Sequence, residues 1–191
     1  MAGYSVMIKE ISNQTKHYIT HVFLQAGVGG MAAGVISGIA KYFKRIPKII
    51  VIEPEHANCV MQSIRYGSLK KVNIKKQSIM GGMSCAEVSL VPWRILKNAV
   101  NNCVSVSDKY VPQTLTMLAK KKFSDKSIIA GECSTPGVIS IISCCNDPLV
   151  KKKLDVNEKS NILIIGCEGD TDKNLYNKLY KIGNQKLKKN D

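Results

Sequence analysis

With 191 residues, 45% of them apolar, the chain is long enough for one domain with a real core, and no apolar run reaches the ~20 residues that span a bilayer. The formal charge of +14 invites a nucleic-acid partner, but only Arg45, Arg65 and Arg94 are arginines, no aromatics interleave with the short lysine runs, and no zinc-finger, RRM or basic-zipper pattern occurs, so the charge reads as a solvated lysine surface. Seven cysteines lack a Cys-x-x-Cys pair, His17, His21 and His56 fall off zinc-finger spacing, and Met1-Ala-Gly-Tyr opens without a basic-then-apolar signal, which together predict a cytoplasmic protein with reduced thiols and no metal site.

In chain order, Tyr4, Met7, Ile8 and Ile11 fall at helical spacing over residues 4–16. Residues 20–25 read as a short apolar strand, and residues 31–43 as a helix. Its small residues Ala32, Ala33, Gly34, Ser37, Gly38 and Ala40 suit close packing on a sheet. Residues 48–52 (Lys-Ile-Ile-Val-Ile) form a continuous apolar run, the pattern of a parallel strand covered on both faces, ended by Glu53-Pro-Glu55. Residues 58–67 read as a helix closed by Gly67. A flexible loop over 81–87 leads to a helix at 92–100 and a strand at 104–106. Asp108 is expected to cap a helix over 109–121. A loop at 131–137 precedes an apolar helix over 138–144, and 157–160 is a polar linker. A last buried strand at 161–165 is followed by a loop at 166–172 and a helix at 173–181, whose start Asp170 and Asp172 cap electrostatically; the lysine-rich tail after Ile182 is expected to fray. Apolar strands alternating with helices predict an α/β fold with a mostly parallel sheet flanked by helices.

The segment from Val22 to Gly34 (Val-Phe-Leu-Gln-Ala-Gly-Val-Gly-Gly-Met-Ala-Ala-Gly) carries the chemistry. It reads as strand, glycine turn and helix start. Gly27, Gly29 and Gly30 permit close approach of a ligand to the main chain, and the first helical amides point at the turn with the positive end of the helix dipole. That is a phosphate site. One reading is a dinucleotide site of an NAD-type oxidoreductase, with Gly27-x-Gly29-x-x-Ala32 as the fingerprint and Glu53, at the end of the next strand, as the ribose-binding acid. The other is pyridoxal phosphate, where the loop cups one phosphomonoester.

Four segments bear on that choice: Thr20-His-Val-Phe-Leu-Gln-Ala-Gly-Val-Gly-Gly-Met-Ala; Ile49-Ile-Val-Ile-Glu-Pro-Glu; Ile79-Met-Gly-Gly-Met-Ser-Cys-Ala-Glu with Pro92-Trp-Arg-Ile-Leu; and Cys167-Glu-Gly-Asp-Thr-Asp. In this order and spacing the chain resembles the C-terminal half of the diaminopropionate ammonia-lyases, within the tryptophan-synthase-β-like (fold type II) pyridoxal-phosphate enzymes. The resemblance implies a partial fold type II structure, pyridoxal 5'-phosphate as cofactor, and a lyase of amino-acid catabolism that takes 2,3-diaminopropionate to pyruvate and ammonia by α,β-elimination. It also implies a small amino-acid substrate and a homodimer in the full-length form, with no nucleic-acid or membrane partner.

The resemblance places Gly27, Val28, Gly29, Gly30 and Met31 at the phosphate, and Gly166 and Cys167 beside the pyridine nitrogen, where a hydroxyl is usual in the family. Cys85 and Glu87 fall on its substrate-side segment, although Ala86 and Val88 depart from the expected Gly and Pro. Glu132 and Ser134 fall on a stretch resembling Gly-Glu-Ser-Gly. Trp93 is expected to anchor packing. No lysine sits in the context of the family's Schiff-base lysine. Residues 1–191 are therefore expected to be the C-terminal portion of a pyridoxal-phosphate lyase, inactive alone, with no catalytic residue assigned. A non-catalytic phosphate-binding remnant is the alternative.

Overall fold

The computed structural model describes residues 1–189. Four parallel strands form one sheet in the order β3-β2-β1-β4: β1 (His21–Gln25), β2 (Lys48–Pro54), β3 (Asn102–Val106) and β4 (Ile162–Ile164). The α/β architecture with helices on both faces is the one predicted. β1 and β2 pair from His21↔Lys48 to Gln25↔Ile52. Both are buried along almost their whole length, which explains their continuous apolar sequences. Successive side chains alternate between faces. Val22, Leu24, Ile49 and Val51 join one core with Ala32, Val35, Ile39 and Leu96, while Phe23, Ile50 and Ile52 join the other with Met83, Leu115 and Ile139.

Helix α1 (Ala2–Gln14) lies against α2 (Gly30–Tyr42). The small residues of α2 do more than pack on the sheet. A Cβ at Gly34 would come within 2.7 Å of the Met1 carbonyl, and one at Gly38 within 2.8 Å of Ile8 Cβ, so these two glycines let α1 close onto α2. Helix α3 (Cys59–Tyr66) ends at Gly67 with φ +66°, as the sequence predicts. Helix α4 (Leu90–Ala99) packs on α2 and buries Trp93 in the core.

The structure departs from the sequence reading at three places. Asp108 caps no helix: α5 (Val111–Ala119) starts three residues later, and the Asp108 carboxylate accepts from Ser78 Oγ (2.5 Å) and Ile79 N–H (3.0 Å). After α6 (Pro136–Asn146), a further helix, α7 (Pro148–Leu154), precedes β4. Asp147 caps it through Leu149 and Val150 N–H, with Pro148 at its first position. The last helix, α8 (Lys173–Lys188), does not fray after Ile182 but continues six residues further. Gly183 explains why: α5 approaches so closely that a Cβ there would lie 2.0 Å from the Pro112 carbonyl oxygen. Lys186 Nζ adds a bond to the Lys109 carbonyl at 2.8 Å. Asn190 and Asp191, the end of the expected frayed tail, lie outside the described residues. The cap of α8 is Asp172, whose carboxylate accepts from Asn174 and Leu175 N–H at 3.0 Å. Among the described residues no helix is long and apolar enough to cross a membrane.

Candidate active site

The strand order reverses between β1 and β4, since β2 and β3 run out on one side of β1 and β4 returns on the other. In open parallel sheets the crevice at such a switch point, at the C-terminal strand ends, is where ligands bind. Its two banks are the glycine loop after β1 and the 166–172 loop after β4, so the topology brings Gly27–Met31 and Gly166–Cys167 to the same sheet edge.

The glycine loop is shaped by contacts that exclude side chains. A Cβ at Gly27 would lie 2.7 Å from the Gly82 carbonyl oxygen and 2.8 Å from Cys85 Sγ. Gly29 has φ +89°, and its Cβ would strike Leu96 Cδ1 at 2.7 Å. Gly30 differs: nothing stands within 4 Å of its Cβ position. The fold does not need a glycine there, so the space left above the first turn of α2 is room for something else. Gly29 is the N-cap residue and no side chain caps this helix, unlike α7 and α8 with their aspartates. The first amides of α2 therefore face the loop without an intrahelical partner. A 280 Å³ cavity opens here, lined by Met1, Tyr4, Gln25, the loop from Gly27 to Met31, and Gly82. It holds no acidic side chain. Three larger cavities, of 570, 490 and 540 Å³, lie elsewhere; the first is at the opposite sheet edge, among Lys16, Tyr18 and Arg45.

Glu53 decides between the two sequence readings. It is fully buried, and its carboxylate accepts from Val60 and Met61 N–H, both at 2.8 Å, at the N-terminus of α3. Burial pushes its pKa up to about 7, against the pull of those two bonds. A carboxylate enclosed in this way cannot hold a ribose, which removes the acid that the dinucleotide fingerprint requires. Cys59 extends the arrangement: its thiol donates to the Gly27 carbonyl at 3.6 Å, and burial raises its pKa to about 12, so it is a neutral prop beneath the loop. Cys85, packed against Gly27, is likewise pushed up by burial. Glu87 is exposed.

On the other bank, Gly166 and Cys167 are exposed, and nothing stands within 4 Å of the Gly166 Cβ position. Behind them the 131–134 turn meets the loop: Gly131 N–H donates to the Glu168 carbonyl (3.1 Å), Cys133 N–H to Glu168 Oε1 (2.5 Å), and Ser134 Oγ accepts from Cys167 and Glu168 N–H. Glu132, Cys133 and Glu168 bring ligand-type atoms within 4.8 Å of one another. Glu168 is already bound to a main-chain donor, and burial holds the Cys133 thiol protonated, so the trio reads as a loop clasp. The sequence signals Ser134 only through its loop; its bonding depends on residues 33 and 34 positions away.

Residues 1–167 match the family described as "Pyridoxal-phosphate dependent enzyme". The chain belongs to that family. It is 31% identical over 183 residues to diaminopropionate ammonia-lyase of Escherichia coli, covering 92% of this chain and 46% of that protein. It is 30% identical over 171 residues to the biosynthetic L-threonine dehydratase of Staphylococcus epidermidis, covering 86% of this chain and 37% of that protein. The crystal structure of holo diaminopropionate ammonia lyase from Escherichia coli superposes with a TM-score of 0.83 at 30% identity, over 95% of this chain and 47% of that one. Maize serine racemase shares the fold, with a TM-score of 0.75 at 20% identity over 97% of this chain and 53% of that one. The chain thus spans about half the length of the relatives it matches.

The residues present fit the family's cofactor. An uncapped helix N-terminus, a glycine whose side-chain space is empty, and a cavity with no acidic lining suit a phosphate ester. The fold type II expectation from the sequence agrees with this family and fold.

Proposed function

We propose that residues 1–191 are the C-terminal, cofactor-holding portion of an ammonia-lyase that converts 2,3-diaminopropionate to pyruvate and ammonia by α,β-elimination. The carrying observation is the uncapped α2 N-terminus with an open cavity, at the same sheet edge as the Cys167 loop. In this reading Gly27, Val28, Gly29, Gly30 and Met31 hold the phosphate through main-chain N–H groups, and the helix dipole offsets its charge. Gly166 and Cys167 bound the pyridine ring. The thiol stands in place of the family's usual hydroxyl. Bound pyridoxal phosphate supplies the electron sink for loss of the Cα proton and the β-amino group.

No lysine and no carboxylate line the cavity. The amine that attaches the cofactor, and the groups that move protons, belong in this proposal to a segment outside these residues. Val28, Leu90 and Val91 are exposed apolar side chains at the rim, linked by the Ser89 N–H to Val28 carbonyl bond (3.0 Å). They offer that segment an apolar contact. The full-length enzyme is proposed to work as a homodimer in the cytoplasm on a small amino acid.

The test is incubation with pyridoxal phosphate, borohydride reduction and peptide mass mapping, alongside a pyruvate assay with diaminopropionate. The expected result is phosphate-competed, non-covalent binding, no pyridoxyl-lysine and no pyruvate from this chain alone. Pyruvate is expected when the N-terminal half of a diaminopropionate ammonia-lyase is supplied as a separate polypeptide. A stoichiometric pyridoxyl-lysine within residues 1–191 would overturn the division of labour. Failure to bind pyridoxal phosphate would overturn the cofactor reading.

A further inference from the structure

β4 pairs with β1 only from His21↔Ile162 to Phe23↔Ile164. Beyond Ile164 the two strands part, and that parting opens the crevice. The main chain that must carry Gly166 and Cys167 along the opposite bank therefore has no ladder to hold it. Side chains take over where the ladder stops.

Gln25, the last residue of β1 and only 3% exposed, turns its carboxamide across the gap and donates from Nε2 to the Ile165 carbonyl at 2.6 Å. Ser134, 4% exposed, holds the next two residues. Its Oγ accepts from Cys167 N–H at 2.9 Å and Glu168 N–H at 2.8 Å and donates to the Glu168 carbonyl at 2.8 Å. The hydroxyl is saturated: two bonds in, one out. Cys167 Sγ lies 3.7 Å from the same oxygen. The peptide groups from Ile165 to Glu168 are thus pinned by two buried side chains from different elements, one on β1 and one on the turn before α6.

The Gln25 arrangement carries a cost that its packing does not explain. Oε1 is buried and has no hydrogen-bond partner. The amide cannot be turned over, because the Ile165 carbonyl requires a donor. A buried, unmatched acceptor calls for an explanation. An apolar side chain of the same length would fill the space without leaving an oxygen unpaired. What the carboxamide adds is the hold on Ile165, next to Gly166.

We propose that Ser134 and Gln25 are positioning residues that hold the Cys167 loop at a fixed distance from the glycine loop, so that one ligand engages both banks. This rests on the cofactor reading above. In this scheme Ser134 touches no ligand, and Gln25, which also lines the phosphate cavity, acts through the Ile165 carbonyl; both work through the main chain of 165–168. Removing the Ser134 hydroxyl leaves the phosphate cup intact and uncouples the ring-side contact from it.

The experiment measures iodoacetamide alkylation of Cys167 by peptide mapping, with and without pyridoxal phosphate, beside inorganic phosphate affinity by calorimetry. In the wild-type chain, pyridoxal phosphate is expected to protect Cys167, and inorganic phosphate to reverse the protection. Ser134→Ala is expected to reduce protection about tenfold and to raise amide exchange at Cys167 and Glu168 by a similar factor, the scale of an unmade hydrogen bond, with phosphate affinity unchanged. Ser134→Thr, which keeps the hydroxyl, restores protection. Gln25→Met removes the donor and the unpaired oxygen together, so it decides the matter if Ser134→Ala fails to melt cooperatively; it too is expected to lose protection, with raised amide exchange at Cys167 and Glu168 as its second readout, since Gln25 also lines the phosphate cavity and its phosphate affinity is no control. Wild-type protection retained in both Ser134→Ala and Gln25→Met would overturn the proposal and leave the cofactor reading standing. Absence of phosphate-competed pyridoxal phosphate binding in the wild type would overturn both.

Discussion

The glycine loop after β1 is a main-chain structure, whereas the 166–168 loop after β4 is held by side chains. On the first bank the shape follows from what is missing: Gly27 and Gly29 have neighbours where a Cβ would go, and Gly29 has a backbone angle that disfavours one. On the second bank the shape follows from what is present: Ser134 Oγ, Glu168 Oε1 and Gln25 Nε2, each bound to a peptide group of another segment. The two constructions fail differently. A side chain added at Gly27 or Gly29 disrupts the fold itself. A polar atom removed from the second loosens a loop and spares the core. The difference also separates what binds a phosphate from what registers the ring.

The strongest way to break the comparison is Gly29→Val. Valine would need φ +89° and would drive its side chain into Leu96. A left-handed backbone costs about 1–2 kcal/mol and overpacking about 1–3 kcal/mol more. We expect about 3–4 kcal/mol of destabilisation by urea unfolding, with phosphate binding lost. A loss below about 1 kcal/mol would show that the loop relaxes freely and is not sterically fixed.

Glu53 supports the first bank from below, and its ionisation gives the next largest effect. Its folded pKa of about 7 lies above the unfolded value of about 4.5. The native state therefore keeps a proton that the unfolded state has released between those values. Stability is fully present below pH 4.5 and falls as pH rises toward 7, by about 3 kcal/mol at roughly 1.4 kcal/mol per pKa unit. Glu53→Gln, which stays neutral, is expected to flatten that slope in urea titrations between pH 4.5 and 7. An unchanged slope would assign it to other groups.

Much of this first bank is legible in the sequence, because its determinants are local. Apolar runs mark β1 and β2, and glycine spacing marks the turn. What escapes is every role fixed by a distant partner. Glu53 reads as a ribose ligand from its place at a strand end, and only the approach of α3 converts it into a helix anchor. Asp108 reads as a cap and instead ties down the 78–79 segment. Gly183 lies in the tail expected to fray, and contact with α5 makes it the residue that permits the helix. The signal for α7, Asp147-Pro148, is local and readable: a capping residue followed by proline at the first helical position. Ser134 belongs to the other class. One hydroxyl in a loop carries no pattern, and its three bonds appear only when β4 folds beside α6.

On the second bank, Ser134→Ala leaves the Cys167 and Glu168 amides without their acceptor. These groups are partly buried, so we expect about 1–2 kcal/mol, below the Gly29 effect, measured by urea unfolding. A cost equal to that of Gly29→Val would erase the contrast between the banks and make Ser134 a core determinant.

The smallest stability effect is the sharpest test of what the first bank is for. Gly30→Ala places a methyl group where no atom beyond its chain neighbours and its own helix backbone lies within 4 Å, at the first residue of a helix. Alanine in a compatible helical position stabilises by about 0.4–1 kcal/mol through the unfolded chain. The fold therefore gains slightly or is unchanged. The same methyl enters the space above the α2 amides, where the proposed phosphate oxygens sit. Phosphate affinity is expected to fall at least about tenfold, measured by calorimetry, while the urea midpoint holds or rises. A variant equally stable and equally able to bind phosphate would mean that the open space at Gly30 is not the phosphate's. Stability rising while binding falls would show that this glycine is kept for the ligand, in contrast to Gly29 beside it, which is kept for the fold.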